Sequence, residues 1–331
     1  MQGIVTMGYG QPEVLQETTT LTKPVIKDDQ LLVEVKASTL NIADYIGYVK
    51  PIQNNNESTF ASLLNQGVSY FPQRPGGIES AGIVKEVGTK VTDFQIGEYV
   101  CGLALGGAWA EYVAVDQKML YHAPKDFSYV ESAALPVDAV TAYGAVKKAV
   151  KFVGANVLIN GASGGVGHFA LQIAKAFQAN VTAVCSTRNV ELAYQLGADQ
   201  VIDYKKEDFS DYEQKYDAII AINGYQPLSK YRDHLKKQGR FVMVGGKLRQ
   251  DIEGMVGELF YMRREPKITS SAYPFLNKKI TMEKVIALAN AGKLKPYLDH
   301  VYSVDEIPAA IRYIVETHAQ GKVGINVNFS E

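Results

Sequence analysis

An excess of charge of either sign is missing from this sequence: its 331 residues carry 34 Lys and Arg against 35 Asp and Glu, a formal net charge of −1. A chain so balanced exerts no long-range pull on phosphate backbones or anionic lipid, so neither nucleic acid nor a membrane surface is an expected partner. Cysteine is scarce. Cys101 and Cys185 each sit in an apolar or small-residue run, which fits buried free thiols in a reducing compartment and excludes both a disulfide framework and a four-cysteine zinc site. The stretch MQGIVTMGYGQPE lacks the basic region and apolar run of a secretory signal, so the expected location is the cytoplasm. One stretch, Gly154 to Ala174, is free of Asp, Glu, Lys and Arg over a membrane-spanning length, but its centre, NGASGGVG, is too rich in turn-forming glycine for a span.

What is present is an ordinary globular composition, 47% hydrophobic and 21% charged, on a chain long enough to bury about 75% of its unfolded surface and to split into two cores. Residues 1–125 read as a small β-rich domain: short runs such as LLVEVKAS, SAGIVKEVG and AWAEYVAVD are separated by Gly, Pro, Asp and Asn. Tyr48 to Pro75 reads as a long loop. Residues 126–265 change to alternating apolar strands (NVLIN, VTAVC, QVID, DAIIAI, GRFVMVGG) and amphipathic helices, the pattern of a doubly wound parallel sheet. HFALQIAKAF places Phe169, Ile173 and Phe177 on one helical face, and PLSKYRDHLKKQG reads as a helix capped by Gly239. Residues 266–331, with helices over Thr281–Asn290 and Glu306–Thr317 and a closing β-like KVGINVNF, are expected to return to the first domain.

The strand NVLIN runs into Gly161-Ala162-Ser163-Gly164-Gly165-Val166-Gly167 and then into a helix, the setting in which a glycine-rich turn binds a dinucleotide pyrophosphate. Gly161 permits a tight turn, Gly164 and Gly165 let backbone N–H groups approach the phosphates, and Gly167 allows close helix–sheet contact. The second strand ends in Ser186-Thr187-Arg188, with no acid before Glu191 to take the ribose hydroxyls. Two hydroxyls and a guanidinium fit the 2′-phosphate of NADP, with Tyr204 and Lys205 extending the pocket. Asn223 with Gly224, and Gly245 with Gly246, follow the fourth and fifth strands and are expected at the carboxyl edge of the sheet, where such folds bind ligands.

NIAD (Asn41–Asp44), PGGIESAGIV, LPVDAVTAYGAV, NGASGGVG, VCSTRNVELAYQLGADQVIDY, GKLKPYLDHVYSVDEIPAAI and GKVGINV occur in this order along essentially the whole chain. This series resembles the medium-chain dehydrogenase/reductase superfamily and, within it, the zinc-free quinone oxidoreductase-like branch. The resemblance implies a GroES-like β-rich catalytic domain and a Rossmann nucleotide domain. Zinc-dependent members carry a Cys in the first motif and a His in a GHE triplet of the second. Here Asn41 stands near the former and Ile78 replaces the histidine in Gly77-Ile78-Glu79, so no metal is expected and the five histidines read as structural or exposed.

The chemistry so implied is NADPH-dependent transfer of a hydride to a quinone or an α,β-unsaturated carbonyl, without a Lewis acid. Asn41, Tyr45 and Tyr48 are the candidate donors to the developing oxyanion. The resemblance also places Asn41 and Thr141 near the nicotinamide and lets Lys322 reach the adenosine phosphate; Asp44 is expected to support loop geometry. Tyr48 is offset from the loop tyrosine of some quinone reductases, and the asparagine-rich run Gln53–Asn56 is assigned no role. An enoyl-thioester or alkenal reductase, distinguished by the pocket between Tyr48 and Tyr273, and a non-catalytic NADPH-binding redox sensor remain alternatives. A homodimer joined by the apolar strand near Lys267–Ser271 is expected by analogy of fold.

Overall fold

The computed structural model of the protein describes residues 1–49, 74–224, 226–245, 265–270 and 278–329. Fifteen strands and eight α-helices are found among them. The first two strands, β1 (Gly3–Thr6) and β2 (Leu15–Thr18), form an antiparallel ribbon. The next, β3 (Gln30–Leu40), is the spine of the β-rich domain, because Leu31, Leu32, Val33, Val35, Ala37 and Leu40 are all buried along it. After helix α1 (Ile42–Tyr48) come β4 (Glu79–Val87), β5 (Tyr99–Leu103), β6 (Tyr112–Asp116) and β7 (Leu120–His122). The seven-stranded sheet runs β14-β15-β3-β4-β5-β7, where β14 is Leu298–Ser303 and β15 is Lys322–Asn326, with β6 also paired to β3.

Helix α2 (Tyr129–Ala133), a π-helical turn over Leu135–Ala139 and α3 (Val140–Ala149) lead into the second sheet. Its elements alternate: β8 (Asn156–Asn160), α4 (Gly165–Ala176), β9 (Asn180–Cys185), α5 (Val190–Gln195), β10 (Gln200–Asp203), β11 (Tyr216–Ala221), α6 (Leu228–Asp233), β12 (Leu235–Met243) and β13 (Lys267–Ser270). All five pairings in the order β10-β9-β8-β11-β12-β13 are parallel. This is the doubly wound Rossmann arrangement expected, and its strand order reverses between β8 and β11. A ligand in such a sheet lies outside the carboxyl ends at that reversal. Helix α4 places Phe169 and Ile173 in the largest core cluster, with Phe177 packed against it. That cluster also takes in Ala37, Ala81 and Cys101 of the first sheet, so the two domains share apolar contact rather than a linker.

Two expectations are corrected. The helix read through to Gly239 ends at Asp233, because Leu235 is buried in the core beneath β11 and pulls the chain into β12, with a register irregularity between Tyr216 and Ala218. The tail does not return as one piece. Strand β13 is the edge of the parallel sheet and α7 (Lys278–Asn290) packs on α3, whereas β14 (Leu298–Ser303), α8 (Ile307–Thr317) and β15 (Lys322–Asn326) complete the seven-stranded sheet and its cover. Residues 50–73 of the expected long loop, including Gln53–Asn56, lie outside the described residues.

Candidate active site

Strand β8 leaves the sheet at Asn160, and Gly161 turns the chain with φ +84°, a conformation that L side chains rarely adopt. A Cβ there would stand 2.9 Å from the backbone nitrogen of Asn223, which brings the segment after β11 against the turn, at the strand reversal. Ala162 and Ser163 are buried; Ser163 Oγ accepts from Asn189 Nδ2 at 2.6 Å, and the Ser163 carbonyl accepts from Gly321 N at 2.8 Å. A Cβ on Gly167 would lie 2.0 Å from the Gly161 carbonyl oxygen, so glycine is what lets α4 approach β8. Gly164, the N-cap of α4, makes no side-chain cap, and nothing lies within 4 Å of where its Cβ would be. Open space at Gly164, over the helix N-terminus, fits a pyrophosphate, whereas a Cβ on Gly165, the next residue, would stand 2.3 Å from Asp138 Oδ2. Gly245 approaches the Ile222 carbonyl, 3.6 Å from its own Cβ position, beside the same edge. Gly246 lies outside the described residues.

At the other end of this edge, Ser186, Thr187 and Arg188 follow β9, and Tyr204, half of it exposed, follows β10 with its N–H on the Cys185 carbonyl. Lys205 Nζ sits 5.3 Å from the centre of the Tyr204 ring. Ser186 and Tyr204 thus lie at the carboxyl ends of two neighbouring strands, and the Thr187 side chain bonds to the Asp203 carboxylate. Arg188 is engaged, however: its Nη2 donates to the Thr317 carbonyl at 2.7 Å and to that of His318, where α8 ends in a left-handed residue. Gln320 bonds to the Arg188 carbonyl and to Asn189 Oδ1.

Asn41 caps α1 and occupies a buried polar cluster drawn from both domains. Its Nδ2 donates to Glu79 Oε1 at 2.8 Å, and its Oδ1 accepts from Lys322 Nζ at 2.8 Å. Lys322 Nζ also reaches Glu79 Oε1 at 2.8 Å and Asp138 Oδ2 at 3.0 Å. Thr39 Oγ1 donates to Glu79 Oε1, and Val137 N to Oε2 at 3.0 Å. Burial alone would lower the Lys322 ammonium, but the Asp138 and Glu79 carboxylates outweigh it and hold it charged, above its ordinary value. Asp44, wholly buried, accepts from Asn41 N at 2.8 Å. Burial, with the neighbouring Glu79 charge, pushes its carboxyl up to about 7 against that hydrogen bond.

This geometry corrects the role implied for Lys322: its three N–H groups are spent on Asn41, Glu79 and Asp138, so it does not reach an adenosine phosphate. Two uncompensated acids inside the protein require a cation, and Lys322 supplies it. Thr141, half-buried on α3, donates to the Val137 carbonyl at 2.7 Å, one residue from Asp138. Tyr45 is half-buried on α1. Tyr48 packs on Trp109 with ring centroids 5.2 Å apart, and its hydroxyl is buried with no hydrogen-bond partner among the described residues. Tyr273 lies outside them. Sequence reasoning missed Glu79 and Asp138 as site residues. The signal was there, since each is an acid inside an apolar and small-residue run, PGGIESAGIV and LPVDAV, where a charge needs a buried partner.

A resident zinc does not fit this donor set. Ile78 is buried beside Glu79, whose carboxylate is occupied by Lys322, Asn41, Thr39 and Val137, and burial drives the Cys101 thiol far above its ordinary value. No group of three or more His, Cys, Asp or Glu able to hold a metal is present among the described residues.

Residues 27–125 match the family described as alcohol dehydrogenase GroES-like domain, and residues 196–323 that described as zinc-binding dehydrogenase. The chain is 32% identical to the 2-methylene-furan-3-one reductase of Solanum lycopersicum, over 96% of this chain and 77% of that protein. It is 30% identical to the chloroplastic quinone-oxidoreductase homolog of Spinacia oleracea, over 98% of this chain and 97% of the relative. The solved structure of the quinone oxidoreductase from Coxiella burnetii superposes with a TM-score of 0.82 at 27% identity, covering 99% of both chains.

Proposed function

The chain belongs to the medium-chain dehydrogenase/reductase superfamily, on its quinone-oxidoreductase-like side, and from that premise we propose a zinc-independent oxidoreductase that passes a hydride from NADPH to a quinone or an α,β-unsaturated carbonyl. The observation that carries this reading is the pairing of two features across one cleft edge: an uncapped glycine turn at the strand reversal, and the Asn41 amide held in a buried polar cluster tied to that turn through Gly321. The quinone and methylene-furanone named for the two relatives are both carbonyl compounds conjugated to a carbon–carbon double bond, which is the class of acceptor proposed here.

Bound NADPH would supply the hydride. Gly161 to Gly167 bind its pyrophosphate through backbone N–H groups and the α4 dipole. Ser186, Thr187, Arg188 and Tyr204 would hold the adenosine 2′-phosphate, and Arg188 would have to give up the Thr317 and His318 carbonyls to do so. Asn223, Gly245 and Thr141 line the edge toward the nicotinamide. As negative charge moves onto the acceptor oxygen, Asn41 Nδ2–H and the Tyr48 hydroxyl, which has no partner among the described residues, are candidate donors that stabilise it, and Tyr45 is the third candidate. The final proton comes from water.

The protein is assigned to the cytoplasm, where Cys101 and Cys185, both buried and free, stay reduced, and to a homodimer joined along β13, which sedimentation of the purified chain tests. No helix among the described residues is long and apolar enough to cross a membrane. The deciding assay follows the nicotinamide absorbance with NADPH and with NADH, against a benzoquinone and an alkyl enone, with and without chelator. Chelator-insensitive turnover that favours NADPH and weakens in Arg188→Asp supports the proposal. Nucleotide binding with no turnover of either acceptor would refute it in favour of a redox sensor, and preference for NADH would refute the assignment of Ser186 and Arg188.

A further inference from the structure

An arginine offers a phosphate two forks of paired N–H groups, Nε with Nη2 and Nη1 with Nη2, and Nη2 belongs to both. In Arg188 this shared nitrogen is already spent. Its hydrogens go to the Thr317 carbonyl at 2.7 Å and to the carbonyl of His318, the left-handed residue, at φ +54°, on which α8 ends. A cation is well seated there, because the last carbonyls of a helix have no partner within it and carry the negative end of its dipole. The seat is held from the side as well. Gln320 Nε2 donates to the Arg188 carbonyl at 3.2 Å and to Asn189 Oδ1, and Gln320 N donates to Asp299 Oδ2 at 2.9 Å. Arg188, Thr317 and His318 are all exposed, so water and a ligand reach the contact. The next residue, Gly321, donates its N–H to the Ser163 carbonyl of the glycine-rich turn, which sets the end of α8 beside the nucleotide site.

We infer that the end of α8 is a specificity determinant of that site: its carbonyls compete with the 2′-phosphate for Arg188, so NADPH has to release α8 to gain a bidentate grip and NADH does not. The inference rests on the assignment of Arg188 to the 2′-phosphate made above. A phosphate dianion is a stronger acceptor than a carbonyl, so the exchange runs toward the phosphate. The bonds given up are nevertheless subtracted from the binding of NADPH alone, since a nucleotide with a free 2′-hydroxyl leaves Arg188 where it is. Release also takes the cation from the helix end and loosens the last turn of α8. Occupancy by NADPH, as distinct from NADH, is thereby passed to a helix that covers the other sheet.

The test compares NADP+ with NAD+ by two readouts, the dissociation constant from calorimetry and hydrogen–deuterium exchange of the peptide spanning Tyr313 to Gln320. Saturating NADP+ is expected to speed exchange there about two- to fivefold, the scale of removing a cation from a helix end, and NAD+ to leave it unchanged. Arg188→Ala should show the faster exchange without nucleotide and no further change with NADP+. Gln320→Ala loosens the seat without altering the guanidinium, and is expected to bind NADP+ about threefold more tightly, the scale of one hydrogen bond, with NAD+ affinity unchanged. Exchange that stays the same or slows in protein saturated with NADP+ overturns the inference and leaves the NADPH assignment intact. So do equal responses to the two nucleotides, wild-type exchange in unloaded Arg188→Ala, and a Gln320→Ala variant that binds NADP+ no more tightly or shifts both affinities alike, since the last marks a merely structural role. Failure of NADP+ to bind the wild type overturns both.

Discussion

Lys322 and Glu79 are separated by 243 residues of chain and 2.8 Å of space, with side chains 1% and 0% exposed. Such a pair adds little over a well-packed apolar one, but breaking it is expensive, because the surviving charge stays buried without a counter-ion. Lys322→Met strands both Glu79 and Asp138. It is expected to lower the free energy of unfolding by about 3–5 kcal/mol, and Lys322→Met/Glu79→Gln to recover part of that loss. Urea unfolding at neutral pH gives both values. A single variant as stable as the double would remove the electrostatic account of the cluster.

The pH dependence of stability should contain two opposed contributions. Asp44 titrates at about 7 in the fold against an ordinary 3.8, so the folded state holds its proton more tightly; that stabilisation is full below about 4 and is lost as pH rises to about 7. His168 is buried with its Nδ1 on the Gly164 carbonyl and its Nε2 without a partner among the described residues, and burial depresses it from 6.5 to about 4. Its contribution is present above about 6.5 and is lost as pH falls to about 4. The two windows overlap and the slopes cancel. Asp44→Asn should therefore expose a steep loss of stability on acidification between about 6.5 and 4, and His168→Gln a gain on acidification from about 7, each with a slope of at most about 1.4 kcal/mol per pH unit. Denaturation midpoints measured across that range decide it, and parallel curves for the two variants would contradict the assignment.

Two glycines of one turn should fail for different reasons. Gly164→Ala meets no atom within 4 Å of its Cβ, so melting should be unchanged, but the new methyl occupies the space left for phosphate, and NADPH affinity should fall about tenfold or more, by the usual 1.4 kcal/mol per decade. Gly167→Ala puts a carbon 2.0 Å from the Gly161 carbonyl, which is backbone and cannot swing aside, so both melting and affinity should fall. Calorimetric binding and thermal melting separate the two. Equal effects on both quantities in both variants would show that the turn is only structural.

That contrast shows what was legible beforehand. Strand, glycine turn and helix lie close together in sequence, so Gly161 to Gly167 announced their own geometry, and NVLIN, VTAVC and DAIIAI carried enough apolar residues to mark buried parallel strands. The end of α6 was not legible, since KYRDHLKKQG is compatible with helix throughout, and only the long-range seat of Leu235 under β11 ends it at Asp233. Lys322 was assigned the wrong neighbour for the same reason: a lysine in GKVG gives no sign of which acids, 243 residues upstream in one case, will surround it. Arg188 was legible as a cation at the end of β9, but not as a group already bonded to the end of α8.

The Tyr48 hydroxyl separates packing from chemistry. It is buried with no partner among the described residues, so Tyr48→Phe removes a polar group that bonds to none of them while keeping the ring on Trp109. Stability should stay within about 0.5 kcal/mol of wild type or rise. If the hydroxyl donates to the acceptor oxygen, kcat falls about tenfold with NADPH affinity unchanged; an unaltered kcat assigns the donor role to Asn41 alone.

Strand β15 pairs with β3 on one side and β14 on the other, and carries Lys322 at its start. A ribosome releases the residues of β3, β4 and the Asp138 turn long before this strand exists. Until it does, Ala37–Leu40 of β3 have a bare edge, and two acids have no cation to follow them out of water. A chain halted before β15 is therefore expected to stay open there and to be cut readily by protease where the full one resists.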